Sequence, residues 1–146
     1  MAMLKIAVGC DPNAASAKAA LMQYLGQKGF LLTDFGSDDP IYANVAIKVA
    51  EAVSRQEYDR GILICGTGLG VSIAANKVKG IRAAVCSEPF TAKVARVHNN
   101  CNILAFGARV VGAELAKMIV ETWLDAEFEG GRHQRRVDLI TAIEEK

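Results

Sequence analysis

The sequence predicts an α/β protein, a three-layer Rossmann-like domain in which helices flank a five-stranded parallel sheet. Short apolar runs alternate with longer amphipathic stretches along the whole chain. The apolar runs are continuous rather than alternating, which is typical of strands that are covered on both faces. Strict alternation of strands and helices indicates parallel strands joined by right-handed crossovers.

Five strands and six helices account for this alternation. The predicted strands cover residues 4–9, 31–35, 61–65, 81–86 and 102–106. The predicted helices cover residues 14–28, 43–55, 71–78, 89–98, 113–123 and 136–145. Gly29 is a suitable C-terminal stop for the first helix, and Pro89 suits the first turn of the fourth.

The composition is that of an ordinary globular protein. A length of 146 residues fits a single domain over residues 1–146, and 51% of the residues are hydrophobic. Lys and Arg total 17 against 16 Asp and Glu, a net charge of +1. This balance argues against a nucleic-acid partner, and the high apolar content argues against disorder.

The sequence also predicts where the protein works. No segment approaches the roughly 18 consecutive apolar residues of a membrane span, and the first residues do not resemble a signal peptide. The four cysteines form no C-x-x-C pair, which favours free thiols. We therefore expect a cytoplasmic protein with no membrane partner.

Ligands of such sheets bind outside the carboxyl ends of the strands. Asp11 follows the first strand, Cys65 ends the third, and Arg109 comes shortly after the fifth. Because these positions meet at one edge, a thiol, a carboxylate and a guanidinium are expected to converge there.

The segment GILICGTGLGVS at residues 61–72 is a strand, a glycine-rich turn and the start of a helix. Glycines let backbone N–H groups crowd towards a ligand, and a helix N-terminus favours an anion or a thiolate. An inert thiol beside a tight turn is the competing interpretation. A dinucleotide site also stays open, although Val71 stands where its third glycine belongs and the phosphate-loop pattern fails as well.

Two histidines and several arginines form the other candidates. His98 ends a predicted helix, where a histidine can simply cap carbonyls. His133 lies in a basic stretch that we interpret as a solvated loop, although its arginines offer the fork that binds a phosphate. We assign a further set of residues to packing: Cys10, Cys86, Cys101 and Trp123.

Taken together, the chain resembles the family of ribose-5-phosphate isomerase B and galactose-6-phosphate isomerase. Six blocks occur in the family's order: IAVGCD at 6–11, ICGTGLGVSIAANK at 64–77, GIRAAVC at 80–86, HN at 98–99, NILAFGARVVG at 102–112 and EGGRH at 129–133. The resemblance covers nearly the whole chain. It implies an aldose–ketose isomerase of phosphorylated sugars that acts through an enediolate, without a metal or an organic cofactor.

The resemblance also implies a role for each site residue. Cys65 would move the proton between C1 and C2, and Thr67 with the N–H groups of the glycine loop would stabilise the enediolate oxygen. His98 would open the cyclic sugar. The remaining residues would bind substrate, namely Asp11 and Asn99 at the hydroxyls, Gly66, Gly68 and Gly70 in the loop, and Arg109, Arg132 and Arg136 at the phosphate. A homodimer or a dimer of dimers, with sites at the subunit interface, is implied as well.

Three positions depart from the family pattern. Pro12 follows Asp11 where the family usually has histidine, Asp39 replaces a tyrosine, and Ile41 stands where histidine is frequent. Losing a donor to the phosphate would cost about 1–3 kcal/mol of binding. We therefore expect a remodelled pocket, for a sugar phosphate of different length or stereochemistry. A noncatalytic sugar-phosphate binder, or a partner subunit of a hetero-oligomer, is the alternative.

Overall fold

The computed structural model describes residues 3–146, which form a five-stranded sheet with helices on both faces. The strands are β1 (Lys5–Cys10), β2 (Leu31–Asp34), β3 (Arg60–Cys65), β4 (Ala83–Val85) and β5 (Ile103–Gly107). Their order is β2-β1-β3-β5-β4, and every neighbouring pair is parallel. The predicted α/β class and parallel sheet are confirmed.

The helices cover two faces of this sheet. They are α1 (Ala15–Gln27), α2 (Tyr42–Ser54), α3 (Leu69–Ala75), α4 (Pro89–Val97), α5 (Ala113–Asp125) and α6 (Arg132–Ile143). Helices α1, α4 and α5 pack over one face, where Trp123 and Phe106 are buried in the core. Helices α2 and α3 pack over the other face, against Leu63 and Ile103. Trp123 is a core residue, as predicted.

The outer strands are less covered than their apolar sequences suggest. The central strands β1, β3 and β5 are buried almost throughout, but β2 is largely exposed, with Leu31 at 52%. The prediction that all the strands are covered on both faces is therefore wrong for β2. The reason is its position at the edge of the sheet, because α1 packs against β2 while α2 and α3 pack mainly over the other strands.

Two helix boundaries differ from the predicted ones by three residues or more. Helix α3 ends at Ala75 rather than at residue 78, because the Asn76 side chain pairs with both the N–H and the carbonyl of Ala83. Helix α6 begins at Arg132 rather than at residue 136. Gly130 and Gly131 have φ angles of +71° and +56°, which turn the chain directly into the helix.

The sheet has two ends, and the elements distribute side chains between them. We call the end where β1, β3 and β5 finish the carboxyl edge, and the end where they begin the amino edge. Helix α4 follows β4 and runs back along the sheet, so that it starts at the carboxyl edge and finishes at the amino edge. Among residues 3–146, no helix has the length and apolar character needed to cross a membrane.

Candidate active site

The loop after β3 holds Cys65 in a defined polar contact. The Cys65 side chain is buried, and the N–H of Gly68 donates a hydrogen bond to its Sγ atom at 3.1 Å. The backbone of the loop therefore contacts the sulfur directly and fixes its position at the carboxyl edge.

Close packing against β5 explains why the loop contains glycine. Gly68 has a φ angle of +83°, and a Cβ atom there would lie 2.8 Å from the carbonyl carbon of Phe106. A Cβ atom on Gly107 would lie 2.6 Å from the Cα atom of Thr67. No side chain fits between the two backbones at either point, so the position of Cys65 is fixed by main-chain contact.

Several predicted site residues surround this loop. Thr67 is exposed, and its hydroxyl accepts a hydrogen bond from the N–H of Leu69 at 3.2 Å. The N–H of Arg109 donates to the Gly66 carbonyl at 3.1 Å, and the Arg109 side chain passes over Gly66. The N–H of Asp11 donates to the carbonyl of Ile64, which precedes Cys65, at 3.2 Å. The structure thus brings Asp11, Cys65, Thr67 and Arg109 together at the carboxyl edge.

Tyr42 is a neighbour of the loop that the sequence interpretation missed. It lies in the first turn of α2, and a Cβ atom on Gly70 would fall 2.4 Å from its ring. Gly70 therefore leaves room for an aromatic ring beside the start of α3. A tyrosine three residues after the altered Asp39 was the available signal in the sequence.

The other cysteines have a different environment. Burial raises the pKa of the Cys10 thiol to about 11, and it does the same for Cys101. Burial also raises the pKa of Cys86. Such groups remain neutral thiols near neutral pH, which agrees with their assignment to packing.

The remaining candidates lie at the amino edge. His98 caps the end of α4, and its ring stacks on the ring of His133 with a centroid distance of 4.2 Å and an interplanar angle of 14°. The Asn99 carbonyl accepts a hydrogen bond from Arg82 at 3.1 Å. Arg132 and Arg136 lie in the first turns of α6, where they line a depression of about 240 Å³.

The interpretation of His133 as part of a solvated loop is wrong. His133 lies in the first turn of α6 and only 5% of its surface is exposed. The early start of α6 is the cause, because it turns this side chain inwards onto His98. The signal in the sequence was the spacing of His133 and Arg136, which places them on one helix face.

The two groups of candidates do not meet within one chain. Cys65 ends β3, whereas His98 follows a helix that runs back to the level where the strands begin. A strand of five residues, such as β5, spans about 16 Å. His98, Asn99, Arg132 and Arg136 are therefore separated from the carboxyl edge by the length of the sheet.

The histidine cluster has donor atoms of the kind that hold metals, but not their usual arrangement. Donor atoms of His98, Glu129 and His133 lie within 4.8 Å of one another. The lone pairs of an imidazole lie in the plane of its ring, and these two planes are nearly parallel. They cannot point at one ion unless a ring rotates, so this arrangement is not that of a metal centre.

Comparison with known proteins places the chain in a family. The model of the ribose/galactose isomerase family matches residues 6–140. Ribose-5-phosphate isomerase B of Escherichia coli is 55% identical, with 99% of both chains covered. D-erythrulose-4-phosphate isomerase of Pectobacterium atrosepticum is 49% identical over 94% of this chain and 93% of its own.

The three-dimensional comparison agrees. The structure of Clostridium thermocellum ribose-5-phosphate isomerase B superposes with a TM-score of 0.94 at 52% sequence identity. The match covers 97% of this chain and 98% of that one. The strand order, the glycine loop and the position of the matched residues thus lead to one conclusion: the chain belongs to the ribose/galactose isomerase family and is an aldose–ketose isomerase.

Proposed function

We propose that the chain interconverts ribose 5-phosphate and ribulose 5-phosphate by proton transfer at Cys65. The hydrogen bond from the Gly68 N–H to the Cys65 Sγ atom is the observation that carries this proposal. This bond holds the Cys65 sulfur within the glycine loop, which also carries the exposed hydroxyl of Thr67. The 55% identity to a ribose-5-phosphate isomerase B supports the choice of sugar.

Each proton in the proposed reaction has a carrier. His98 takes the proton of the C1 hydroxyl of the cyclic aldose and gives it to the ring oxygen O4 while the C1–O4 bond breaks and the C1 carbonyl forms. The Cys65 thiolate then removes the C2 proton, and the negative charge moves to the C1 oxygen. The hydroxyl proton on O2 passes to O1, and Cys65 returns its proton to C1, which gives the ketose. Thr67 and the neighbouring N–H groups stabilise the charged oxygen.

The separation of the two edges supports a site shared between two copies of the chain. In this arrangement, one copy supplies Asp11, Cys65, Thr67 and Arg109, and its partner supplies the amino-edge residues His98, Asn99, Arg132 and Arg136. A twofold axis makes two equivalent sites. Leu69 and Ile73 on α3 are 56% and 61% exposed beside the glycine loop, which suits a contact surface.

The three altered positions favour a second candidate substrate. Pro12 begins a short 3-10 turn, and Ile41 is exposed and carries no charge. Asp39 accepts hydrogen bonds from the N–H of Ile41 and the side chain of Asn44, both at 2.9 Å, and these bonds lower its pKa. None of these three side chains adds a cation or an aromatic ring that could contact a longer sugar. A four-carbon sugar phosphate is thus the alternative, and one relative is a D-erythrulose-4-phosphate isomerase.

The test is an NMR assay in deuterated water with aldose and ketose phosphates of four to six carbons. Interconversion of ribose and ribulose 5-phosphates, with deuterium at C1 or C2, supports the proposal. Turnover of the four-carbon pair alone identifies the second substrate. Binding without turnover indicates a noncatalytic binder or partner subunit. Saturable binding of a nicotinamide or flavin cofactor, in a parallel titration, would favour the dinucleotide interpretation.

A further inference from the structure

His133 is the partner of His98 in the only pair of stacked rings found in residues 3–146. Its ring lies 4.2 Å from that of His98 at an angle of 14°. His133 is 5% exposed, whereas His98 is only partly buried. The ring of His133 therefore covers one face of the His98 ring. Because His133 is the more deeply buried of the two, it sets the geometry of the pair.

Two charged side chains lie beside the ring of His133. Its Nδ1 atom lies 3.4 Å from a guanidinium nitrogen of Arg136, and its Nε2 atom lies 3.8 Å from a carboxylate oxygen of Glu129. The N–H of Glu129 donates to the Val97 carbonyl at 3.0 Å. This bond ties the segment before α6 to the last turn of α4, which carries His98. A backbone hydrogen bond therefore links the two segments that carry the His98 and His133 rings.

The charges around His133 favour a neutral ring. Burial lowers its pKa, and the positive groups of His98, Arg132 and Arg136 lower it further, while Glu129 acts in the opposite direction. A neutral His133 lets His98 gain a proton without a second cation against its face. A stacked neutral ring is thus a suitable support for a group that carries a proton back and forth.

We propose that His133 is a positioning residue that holds His98, by ring stacking, in the orientation needed to open the sugar ring. This inference rests on the proposed function, in which His98 moves a proton from the C1 hydroxyl to O4. His133 itself touches neither substrate nor reacting atoms in this proposal. Its effect is confined to the step that His98 performs.

The chemistry of the pentose phosphates separates that step from the rest. Ribose 5-phosphate is mainly a furanose, closed between C1 and O4, and must be opened before isomerisation. Ribulose 5-phosphate has its C5 oxygen bound to phosphate, and its other hydroxyls are too near C2 to form a stable ring. A defect in ring opening lowers kcat/KM equally in both directions, because the ratio of the two values is the equilibrium constant. It spares the proton transfer itself, so Cys65 can still exchange the C1 proton of bound ribulose 5-phosphate for deuterium from the solvent.

The experiment compares His133→Leu with His133→Phe in deuterated water, starting from ribulose 5-phosphate and recording both products by NMR. Leu fills most of the buried volume without a flat ring, and Phe keeps the ring. Both variants lose the contacts to Arg136 and Glu129, so the difference between the two variants reports the effect of the aromatic ring alone. We expect His133→Leu to lower the net conversion to ribose 5-phosphate about 10- to 100-fold, with less than about a threefold change in the rate at which deuterium enters C1 of the remaining ribulose 5-phosphate. We expect His133→Phe to recover most of the loss.

Several outcomes would overturn the inference. Equal losses of net conversion and of deuterium exchange at C1 would mean that His133 supports the fold or the phosphate site. Equal behaviour of the Leu and Phe variants would exclude stacking as the cause.

A measurement on the wild-type protein does not depend on whether a variant folds. The protein has only two histidines, and their ring protons must show mutual NOEs and upfield shifts. Absence of both would show that the stack does not form in solution.

A control variant separates this inference from the function on which it rests. His98→Asn removes the proposed proton carrier, so we expect it to show the same pattern, in which net conversion falls and deuterium exchange at C1 is retained. If His98→Asn shows it and His133→Leu does not, the inference fails and the proposed function stands. If the wild-type protein turns over neither pentose phosphate, the proposed function fails and the inference with it.

Discussion

The two edges of the sheet are built in different ways. At the carboxyl edge, Cys65 is positioned by a short loop whose backbone packs directly on β5, and its hydrogen-bond donor lies three residues away. At the amino edge, the ring of His98 stacks on the side chain of His133, which belongs to another helix. The first arrangement depends on glycine and main-chain geometry, and the second depends on the docking of α6. We expect from this difference that the two edges respond to different kinds of substitution.

Cys65→Ala is expected to have the largest effect, because it removes the proposed proton carrier of the carboxyl edge. We expect a loss of about 10³-fold or more in kcat, since the loop offers no other base at this point. Phosphate binding and the thermal midpoint should stay near the wild-type values. Cys10→Ala is the matched control, because burial raises the pKa of that thiol to about 11. Full activity of Cys65→Ala would refute the assigned base.

Mixing of two inactive variants tests whether the edges of different subunits combine. Cys65→Ala damages the carboxyl edge and His98→Asn the amino edge. In a random mixture, half of the dimers contain one copy of each variant, and each of these has one intact site. We expect recovery of about a quarter of the wild-type activity on ribose 5-phosphate. The unmixed variants serve as controls, and a mixture no more active than their average would argue against a shared site.

Gly68→Ala and Gly130→Ala compare the effect of one added methyl group at the two edges. Both glycines have positive φ angles, but only Gly68 faces backbone atoms, whereas nothing lies within 4 Å of a Cβ atom on Gly130. We expect Gly68→Ala to lower the free energy of unfolding by about 2–4 kcal/mol and to reduce activity. Gly130→Ala should cost about 1 kcal/mol, from backbone strain alone. Urea denaturation gives both values, and equal costs would contradict the close packing of the loop.

The pH dependence of stability is expected to show the smallest effect. Burial lowers the pKa of His133 from the ordinary value of 6.5. The unfolded chain therefore binds a proton below about pH 6.5 that the folded chain resists. Acidification from pH 7.5 to 5.5 should lower the thermal midpoint, and His133→Phe should weaken this dependence while Gly130→Ala leaves it unchanged. An identical pH dependence of wild type and His133→Phe would show that His133 is not the group responsible.

Prediction from sequence worked best where the signal is local. The strands β1, β3 and β5 are continuous apolar runs, and the residues that follow them converge as expected because parallel strands end at one edge. The end of α3 was placed too late, because it is set by contacts of Asn76 with Ala83 on the next strand. The apolar periodicity of a helix carries no information about that contact.

His133 shows the same limit at the site itself. Its sequence neighbours are glycine and arginine, which are typical of an exposed loop. The ring is buried because Gly130 and Gly131 start α6 early and because the segment before α6 is bonded to the end of α4. The stack with His98 therefore follows from two elements that are distant in the chain.

The sequence by itself determined the sheet, the crossovers and the glycine loop around Cys65, because short-range sterics and hydrophobic burial act within each element. Only the tertiary structure decided which candidates meet. It placed Asp11, Cys65, Thr67 and Arg109 at one edge, and His98 with His133 at the other. The physical reason is that a helix after a strand reverses the chain direction, so its end lies a full strand length from the loop where it began.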